Sequence, residues 1–288
     1  MHANGIEIEY EIFGDPDGIP MLLVAGLGVQ MLSWDDVFCE LLAGRGFCVI
    51  RFDNRDCGLS TWMDSAGPPD IAAAFSGDAR PAYKLDDMAA DAAGLLDALR
   101  IPAAHVVGAS MGGFLAQLIA LNHPDHVLSL TSIMSGPGGE DEVAPTPEGQ
   151  AVLLVSPQST REARIEQGTW IRKVLNGSLD PWDEDFERAR VSRSIDRAYH
   201  PDGNARQLIA ILAAESRLER LSSLQVPTLV IHGVEDILIP IENGRLVASA
   251  VPGARMIEIE GMGHDLPERV WPHVVDAIAD LARQTAAT

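Results

Sequence analysis

Three side chains of this sequence have the types and the order that acyl-transfer chemistry requires. Ser110 stands in "GASMGG" between Gly108 and Gly112, where a β-branched run ends and a helical pattern begins. Asp236 follows the apolar run "TLVIHG", and His264 lies in the glycine-rich "GMGHDLP" near the C-terminus. A serine hydroxyl is a weak nucleophile that needs a neighbouring base, and the base needs an acid to orient it. We therefore predict that Ser110, Asp236 and His264 are catalytic.

The predicted corner at Ser110 accounts for the glycines beside it. A sharp turn from strand to helix forces strained backbone angles and close approach of neighbouring chain, and glycine tolerates both. Ser110 then stands at the N-terminus of the next helix, whose dipole favours developing negative charge. The pattern alone is a weak signal in a chain with 26 glycines, so the flanking strand and helix carry the prediction.

Other residues compete for the roles of acid and base. Glu235 is the adjacent rival of Asp236, whereas Asp265 is too close to His264 along the chain to orient it. His232 also ends a predicted strand, but its "HGVED" loop indicates a different role. We interpret the seven other histidines as structural: His2, His105, His123, His126, His200, His232 and His273.

An acyl-transfer site also needs hydrogen-bond donors for the oxyanion of the tetrahedral intermediate. The backbone N–H of Met111, immediately after the nucleophile, is one predicted donor. The second is the backbone N–H of Leu27, in the loop after the early apolar run "LLVAG". Such donors contribute about 2.7–4 kcal/mol each to transition-state stabilisation.

Short β-branched runs alternate with amphipathic helical segments on both sides of a central insertion. Predicted strands cover residues 21–26, 47–53, 104–110, 128–135, 227–233 and 255–261. Predicted helices follow Ser33 and cover about 85–99, 111–124, 242–251 and 267–283. Such alternation predicts a mostly parallel sheet with helices on both faces.

The alternation stops after residue 135. Residues 135–150 are rich in Gly, Pro and acidic side chains, and residues 151–224 show helical signals without a convincing strand. Ser159 with Glu162, and Asp180 with Pro181, mark predicted helix starts. We predict a core of residues 1–136 and 225–288 with a helical insertion at 137–224.

Composition limits the partners of the chain. Its 288 residues include 42 acidic and 21 basic side chains, a formal charge of −21 that disfavours nucleic acid and anionic membrane surfaces. The N-terminus has neither the basic segment nor the apolar segment of a signal peptide, and no apolar run is long enough to span a bilayer. Cys39, Cys48 and Cys57 form neither a disulfide framework nor a metal site. We predict a cytoplasmic protein that needs no metal and no organic cofactor.

These motifs together resemble the α/β-hydrolase superfamily over nearly the whole chain. "VAGLG" is similar to the oxyanion loop of the family, with Ala25 where relatives usually have histidine before Gly26. "RFDNRDCGLST" resembles the turn after the fourth strand, and it has Asp56 where many relatives have glycine. This variant, with "HVVGASMG" and "GMGHDLP", is most similar to methyl esterases that act on anthracycline-type polyketides.

The resemblance implies that the insertion is a cap over the active site. Its aromatic side chains would then line an apolar substrate pocket, or else form the core of the cap itself. Trp34 and Phe114, on the side of the nucleophile, leave the same two interpretations open. The predicted pocket residues are Trp34, Phe114, Trp170, Trp182 and Phe186.

We expect a serine carboxylic ester hydrolase that forms an acyl-enzyme with a small to medium apolar ester, with a methyl ester among the candidates. The same triad serves a cofactor-free perhydrolase or haloperoxidase, a lactonase and a carbon–carbon bond hydrolase, and fold alone does not separate them. A small-molecule receptor that keeps the triad without turnover is the alternative of another class. The sequence leaves the oligomeric state open.

Overall fold

The computed structural model describes residues 1–76 and 80–285. A short hairpin of His2–Ala3 (β1) and Ile6–Glu7 (β2) precedes the main sheet. Within the described residues the main sheet has seven strands: Tyr10–Phe13 (β3), Ile19–Val24 (β4), Phe47–Phe52 (β5), Ala104–Ala109 (β6), Val127–Ile133 (β7), Thr228–Gly233 (β8) and Arg255–Ile259 (β9).

The strands lie in the order β3-β5-β4-β6-β7-β8-β9. β3 pairs antiparallel with β5, and every other neighbouring pair is parallel. The carboxyl ends of the parallel strands therefore share one edge of the sheet, where ligands bind in open α/β folds. The predicted mostly parallel sheet is confirmed, whereas the antiparallel strand β3 was not predicted.

Helices pack on both faces of the sheet, as the sequence predicts. One face holds the helices at residues 85–98 and 111–122, and the other holds the helices at residues 36–43 and 271–285. The helices of the core are Asp36–Ala43 (α1), Ile71–Phe75 (α2), Leu85–Ala98 (α3), Met111–Asn122 (α4), Ile241–Ala250 (α10) and Trp271–Thr285 (α11).

The two faces bury separate apolar clusters because alternate residues of a strand point to opposite sides. Leu22 and Val24 of β4 lie in the cluster with α3 and α4, while Met21 and Leu23 lie in the other. The central strand β6 is thus covered on both sides, which gives Ser110 a rigid base.

The inserted region carries helices and no strand among its residues, all of which the structure describes. They are Pro147–Leu153 (α5), Arg161–Leu175 (α6), Glu184–Arg197 (α7), Pro201–Leu212 (α8) and Leu218–Leu221 (α9). The predicted helix starts at Ser159 and Asp180 are wrong, since the N-caps are Thr160 and Asp183. The boundaries of the insertion stay a prediction.

Two further features concern the chain as a whole. Within the described ranges, no helix combines the length and the apolarity that crossing a bilayer requires. Cys39, Cys48 and Cys57 are buried free thiols.

Candidate active site

Ser110 occupies a strained corner between β6 and α4. Its backbone has φ +57° and ψ −126°, far from the helical and extended regions that a serine ordinarily adopts. A Cβ on Gly108 would stand 2.0 Å from the carbonyl oxygen of Gly112, and one on Gly112 would stand 2.0 Å from that of Val24. The glycines beside Ser110 are therefore required by close approach of backbone to backbone.

Three loops at the carboxyl edge of the sheet bring the predicted catalytic side chains together. His264, after β9, places Nε2 2.9 Å from Oγ of Ser110. Its Nδ1 lies 2.8 Å from Oδ2 of Asp236, which follows β8. Because a carboxylate only accepts, Nδ1 carries the proton and Nε2 is free to accept from the serine hydroxyl. The arrangement can move a proton from Ser110 to His264.

The electrostatics of Asp236 suit a permanently ionised partner of the histidine. Burial acts to raise the pKa of this carboxyl, but the nearby His264, His232 and the backbone N–H of Ile239 outweigh burial and lower the pKa. Oδ1 accepts from the N–H groups of Leu238 at 2.9 Å and Ile239 at 2.8 Å. Oδ2 is thereby left for the imidazole.

The rivals of the predicted acid and base lie in other arrangements. Glu235 accepts from the backbone N–H and the hydroxyl of Ser178, at 2.9 and 2.7 Å, and so points to the insertion. Asp265 accepts from the N–H of Gly263 at 3.1 Å. His232 is fully buried and donates from Nε2 to the carbonyl of Ile239 at 2.7 Å.

The two predicted oxyanion donors flank the nucleophile. Leu27 and Met111 line the same cavity as Ser110, and Met111 is the first residue of α4. Among the residues that the structure describes, neither backbone N–H donates to a protein acceptor. Gly26 packs against the nucleophile so closely that a Cβ there would stand 3.2 Å from Cβ of Ser110.

Three side chains make contacts near the site that the sequence does not predict. Oγ of Ser135 donates to the carbonyl of Ser110 at 2.9 Å. Nδ2 of Asn54 donates to the carbonyl of Ala25 at 2.9 Å. Nε2 of His232 lies 3.4 Å from Oδ2 of Asp236. The patterns "DNRD" and "HG" mark the positions of Asn54 and His232 in the sequence. No spacing in the sequence indicates which group each of the three side chains contacts.

Ser110 opens into a cavity of about 1490 Å³ between the sheet edge and the inserted helices. Four of the five predicted pocket residues line it. Trp34 and Phe114 belong to the core and are 3% and 5% exposed, while Trp182 and Phe186 come from the insertion. Trp34 also stacks on Phe38, so the floor of the cavity is continuous with the apolar core.

The prediction that Trp170 lines this cavity is corrected by the structure. The residues of α6 that line it recur at helical spacing, at 164, 167, 168, 171, 172 and 175, and Trp170 falls outside this stripe. Trp170 is 45% exposed and lines a separate, smaller depression of about 240 Å³. The sequence predicts the helix but not the face of it that turns toward Ser110.

Asp265, next to His264 in the chain, is one of several carboxyl side chains that line the cavity. Burial is the main cause that raises its pKa to about 6, against the opposing hydrogen bond from Gly263. In the described part of the chain, no group of three or more His, Cys, Asp or Glu side chains is arranged to hold a metal ion.

The fold and the site together define the class of protein. Residues 19–268 match the family described as the alpha/beta hydrolase fold. The chain belongs to this family.

Two proteins with sequences similar to this chain are named as methylesterases. The chain is 35% identical to rhodomycin D methylesterase DnrP of Streptomyces peucetius, over 96% of this chain and 95% of that protein. It is equally similar to rhodomycin D methylesterase DauP of Streptomyces sp. strain C5, with 35% identity over the same shares. The sequence-based resemblance to anthracycline-type methyl esterases is thus confirmed.

Solved structures agree in fold at lower identity. A meta-cleavage product hydrolase from Pseudomonas fluorescens IP01 has a TM-score of 0.76 and 21% identity, covering 98% of this chain and 96% of that one. The enol-lactonase from Burkholderia xenovorans LB400 has a TM-score of 0.75 and 24% identity, covering 98% of both chains. At these identities the likeness concerns the fold alone.

Proposed function

We propose that this protein is a serine carboxylic ester hydrolase that cleaves the methyl ester of a large, mostly apolar carboxylic acid. The observation that carries the proposal is the continuous hydrogen-bond line from Ser110 Oγ through His264 to Asp236, at 2.9 and 2.8 Å, facing a large cavity. The 35% identity to two methylesterases over 96% of the chain supports the ester class.

The proposed reaction proceeds through an acyl-enzyme. His264 takes the proton of Ser110 as Oγ attacks the ester carbonyl, and the N–H groups of Leu27 and Met111 stabilise the oxyanion. The protonated imidazole then gives its proton to the departing methoxide, which leaves as methanol. Water, deprotonated by the same imidazole, attacks the acyl-enzyme and releases the acid and the serine. Asp236 stabilises the imidazolium in both halves.

The size of the cavity supports a substrate larger than the small to medium ester expected from sequence. Pockets for small molecules usually measure about 300–1,000 Å³, whereas this cavity measures about 1490 Å³. Trp182 and Phe186 offer flat apolar surface to a ring system, above a floor that includes the nearly buried Trp34 and Phe114. We propose a polycyclic acyl group, with methanol as the small leaving alcohol.

We also propose that residues 137–224 act as a cap that encloses this substrate. Helices α6, α7 and α8 all contribute side chains to the cavity wall, opposite the edge that holds Ser110. The cytoplasm remains the proposed compartment, and the three buried free thiols agree with a reducing one.

The test compares wild type with Ser110→Ala on two substrate sets. Methanol release from methyl esters of mono- and polycyclic acids measures the proposed activity, and p-nitrophenyl acetate to decanoate measures general esterase activity. We expect multiple turnovers with the largest kcat/KM on polycyclic methyl esters, and a loss of about 10⁶-fold in kcat for Ser110→Ala.

Absence of turnover on every ester by folded wild type contradicts the proposal. Turnover that persists in Ser110→Ala contradicts the role of the serine. A kcat/KM that falls with the size of the acyl group contradicts the polycyclic substrate while leaving the esterase intact.

A further inference from the structure

A side chain of the cap contacts the backbone that carries one proposed oxyanion donor. Residues 25–28, here called the oxyanion segment, link β4 to the cavity wall and contain Leu27. The N–H of Gly28, one residue after the donor, gives its hydrogen bond to Oε1 of Gln207 at 2.8 Å. Gln207 lies on α8 of the cap and is fully buried.

The orientation of this amide is fixed by its second contact. Nε2 of Gln207 donates to the carbonyl oxygen of Arg55 at 2.7 Å. The N–H of Gly28 requires an acceptor, and the carbonyl of Arg55 requires a donor, so only one orientation of the amide satisfies both. A flip of the side chain would leave two buried polar groups unpaired, at a cost of about 1–3 kcal/mol for each group.

The same loop after β5 holds the other end of the oxyanion segment. Asn54, next to Arg55, donates to the carbonyl of Ala25 at 2.9 Å. The contacts therefore close a ring that runs from Ala25 through Asn54, Arg55 and Gln207 to Gly28. The backbone of Leu27 is part of this ring. The hydrogen bond from Asn54 lies within the core, whereas the two hydrogen bonds of Gln207 join the core to the cap.

Packing around Gly28 keeps α8 against the segment. Gly28 has φ +65°, and a Cβ on it would stand 2.7 Å from the side-chain amide of Asn204, one turn before Gln207. The neighbouring Arg206 holds Asp56 with hydrogen bonds of 2.8 and 2.9 Å. Arg206 and Gln207 of α8 thus form hydrogen bonds to Asp56 and Arg55 in the loop after β5.

We infer that Gln207 is a positioning residue for the oxyanion hole, so that the cap completes the catalytic site as well as enclosing the substrate. This inference rests on the proposed function, because it assigns a role in the proposed ester hydrolysis. Catalytic donors must be held within about 0.5 Å of the position that the oxyanion requires. Gln207 touches neither the serine nor the substrate carbonyl and acts through the N–H of Leu27.

The test replaces Gln207 with leucine and with glutamate. Leucine removes both hydrogen bonds, and we expect kcat to fall about 10–100-fold with KM changed less than about threefold, below the 10²–10³ typical of losing a whole donor. Glutamate keeps an oxygen for the N–H of Gly28 but has no donor for the carbonyl of Arg55, so we expect it to lower kcat less than leucine does. Inhibition by a trifluoromethyl ketone, which forms a tetrahedral oxyanion on serine, is expected to weaken in proportion to the loss in Gln207→Leu.

Gln117→Leu is the matched control. Gln117 is also a fully buried glutamine. It donates to the carbonyl of Gly136 at 3.1 Å and to Oγ of Ser132 at 3.4 Å, and it accepts from Arg217 at 3.0 Å. None of these hydrogen bonds reaches the oxyanion segment. The fraction of active protein in every sample is measured by titration with a fluorophosphonate, so that kcat is expressed per reactive serine.

The outcomes separate this inference from the proposed function. Wild type that hydrolyses esters, with a Gln207→Leu kcat equal to wild type per titrated site, overturns the inference alone. A loss in kcat that Gln117→Leu shares also overturns it, because general loosening of the fold then accounts for the effect. Wild type without activity on any ester overturns both proposals.

Discussion

The sheet edge and the inserted helices, which we propose to act as a cap, form the same cavity by different physical means. At the edge, backbone geometry leaves little freedom, because Ser110 sits at φ +57° with Gly112 in contact with the backbone of Val24. The cap attaches mainly through side chains, with Arg206 on Asp56 and Arg197 on Asp53 as its buried ion pairs. We propose that the first region carries out the reaction and that the second selects the substrate.

Among the contacts between the inserted helices and the sheet edge, two reach loops of the proposed site. The N–H of His264 donates to the carbonyl of Leu175 in α6 at 2.9 Å, and Gln207 of α8 accepts from Gly28. The cap therefore touches the loop of the proposed base and the oxyanion segment. We therefore expect substitutions at the sheet edge and at Gln207 to change kcat, and substitutions of the buried ion pairs between the inserted helices and the core to change stability. Substitutions in the part of the cavity wall that the insertion forms are expected to change substrate preference.

After Ser110→Ala, the largest effect is expected for Asp236→Asn at the sheet edge. An amide in place of the carboxylate can donate to Nδ1 and so favours the wrong tautomer of His264, with Nε2 protonated. We expect kcat to fall about 10⁴-fold with KM nearly unchanged. Steady-state kinetics on the best ester measures this, and thermal unfolding serves as the check on folding. A loss confined to KM would contradict the assignment of Asp236.

Arg206→Met tests the joint between cap and core. Arg206 and Asp56 are 3% and 0% exposed, and removal of one partner leaves a buried carboxylate without its cation. We expect the free energy of unfolding to fall by about 3–5 kcal/mol, measured by urea titration. Asp56 itself has φ +65°, in the left-handed region that glycine ordinarily favours.

The matched control is Arg161→Met on the surface of the cap. Arg161 pairs with Asp196 in an equally short geometry of 2.7 Å, but both side chains are about half exposed, at 51% and 53%. Solvent screens such pairs, and we expect no resolvable change in stability. Equal effects of Arg206→Met and Arg161→Met would show that burial of the joint is unimportant.

The sequence predicts the fold and the constellation of the site because both depend on strand ends. Ser110, Asp236 and His264 each follow a recognisable strand, and parallel strands bring their carboxyl ends to one edge. The antiparallel β3 escaped prediction, although "IEIEYEIF" alternates apolar and polar residues as an edge strand does.

The cap is predicted less well because its contacts depend on helix rotation. The predicted helix starts at Ser159 and Asp180 differ from the observed N-caps by one and three residues. The observed N-caps, Thr160 and Asp183, each accept a hydrogen bond from the backbone N–H three residues further on. The rotation of each inserted helix about its own axis decides which aromatic side chain faces Ser110, and the sequence does not define that rotation. Trp170 and Trp182 are equal in sequence terms, and only the packed structure separates them. The partners of Gln207 lie about 150 and 180 residues away, beyond any local pattern.

Asp265→Asn is expected to have a smaller, pH-dependent effect on stability. Burial raises the pKa of Asp265 from 3.8 to about 6, so the folded state keeps a proton that the unfolded state has already lost in this window. Stability conferred by the wild-type residue therefore falls as pH rises from about 4 to about 6, by at most about 3 kcal/mol. The variant has no proton to lose.

Urea titrations at pH 4 to 8 measure this difference. Asparagine keeps an oxygen for the N–H of Gly263, so we expect the variant and wild type to converge near pH 4 and the variant to be the more stable above pH 6. A constant difference between the two curves at every pH would show that the side chain of Asp265 titrates alike in the folded and unfolded states.

Trp182→Ala addresses the cap wall, where the smallest effect is expected. Trp182 lines the cavity, whereas Trp170 on the neighbouring helix is 45% exposed and lies outside it. Loss of an apolar contact to a large acyl group is expected to lower kcat/KM about tenfold on a polycyclic methyl ester relative to an acetate ester, which is about 1.4 kcal/mol. Trp170→Ala, the matched control, is expected to leave that ratio unchanged. If both variants shift the ratio alike, the cap acts through its stability, and the division of labour between edge and cap fails at this wall.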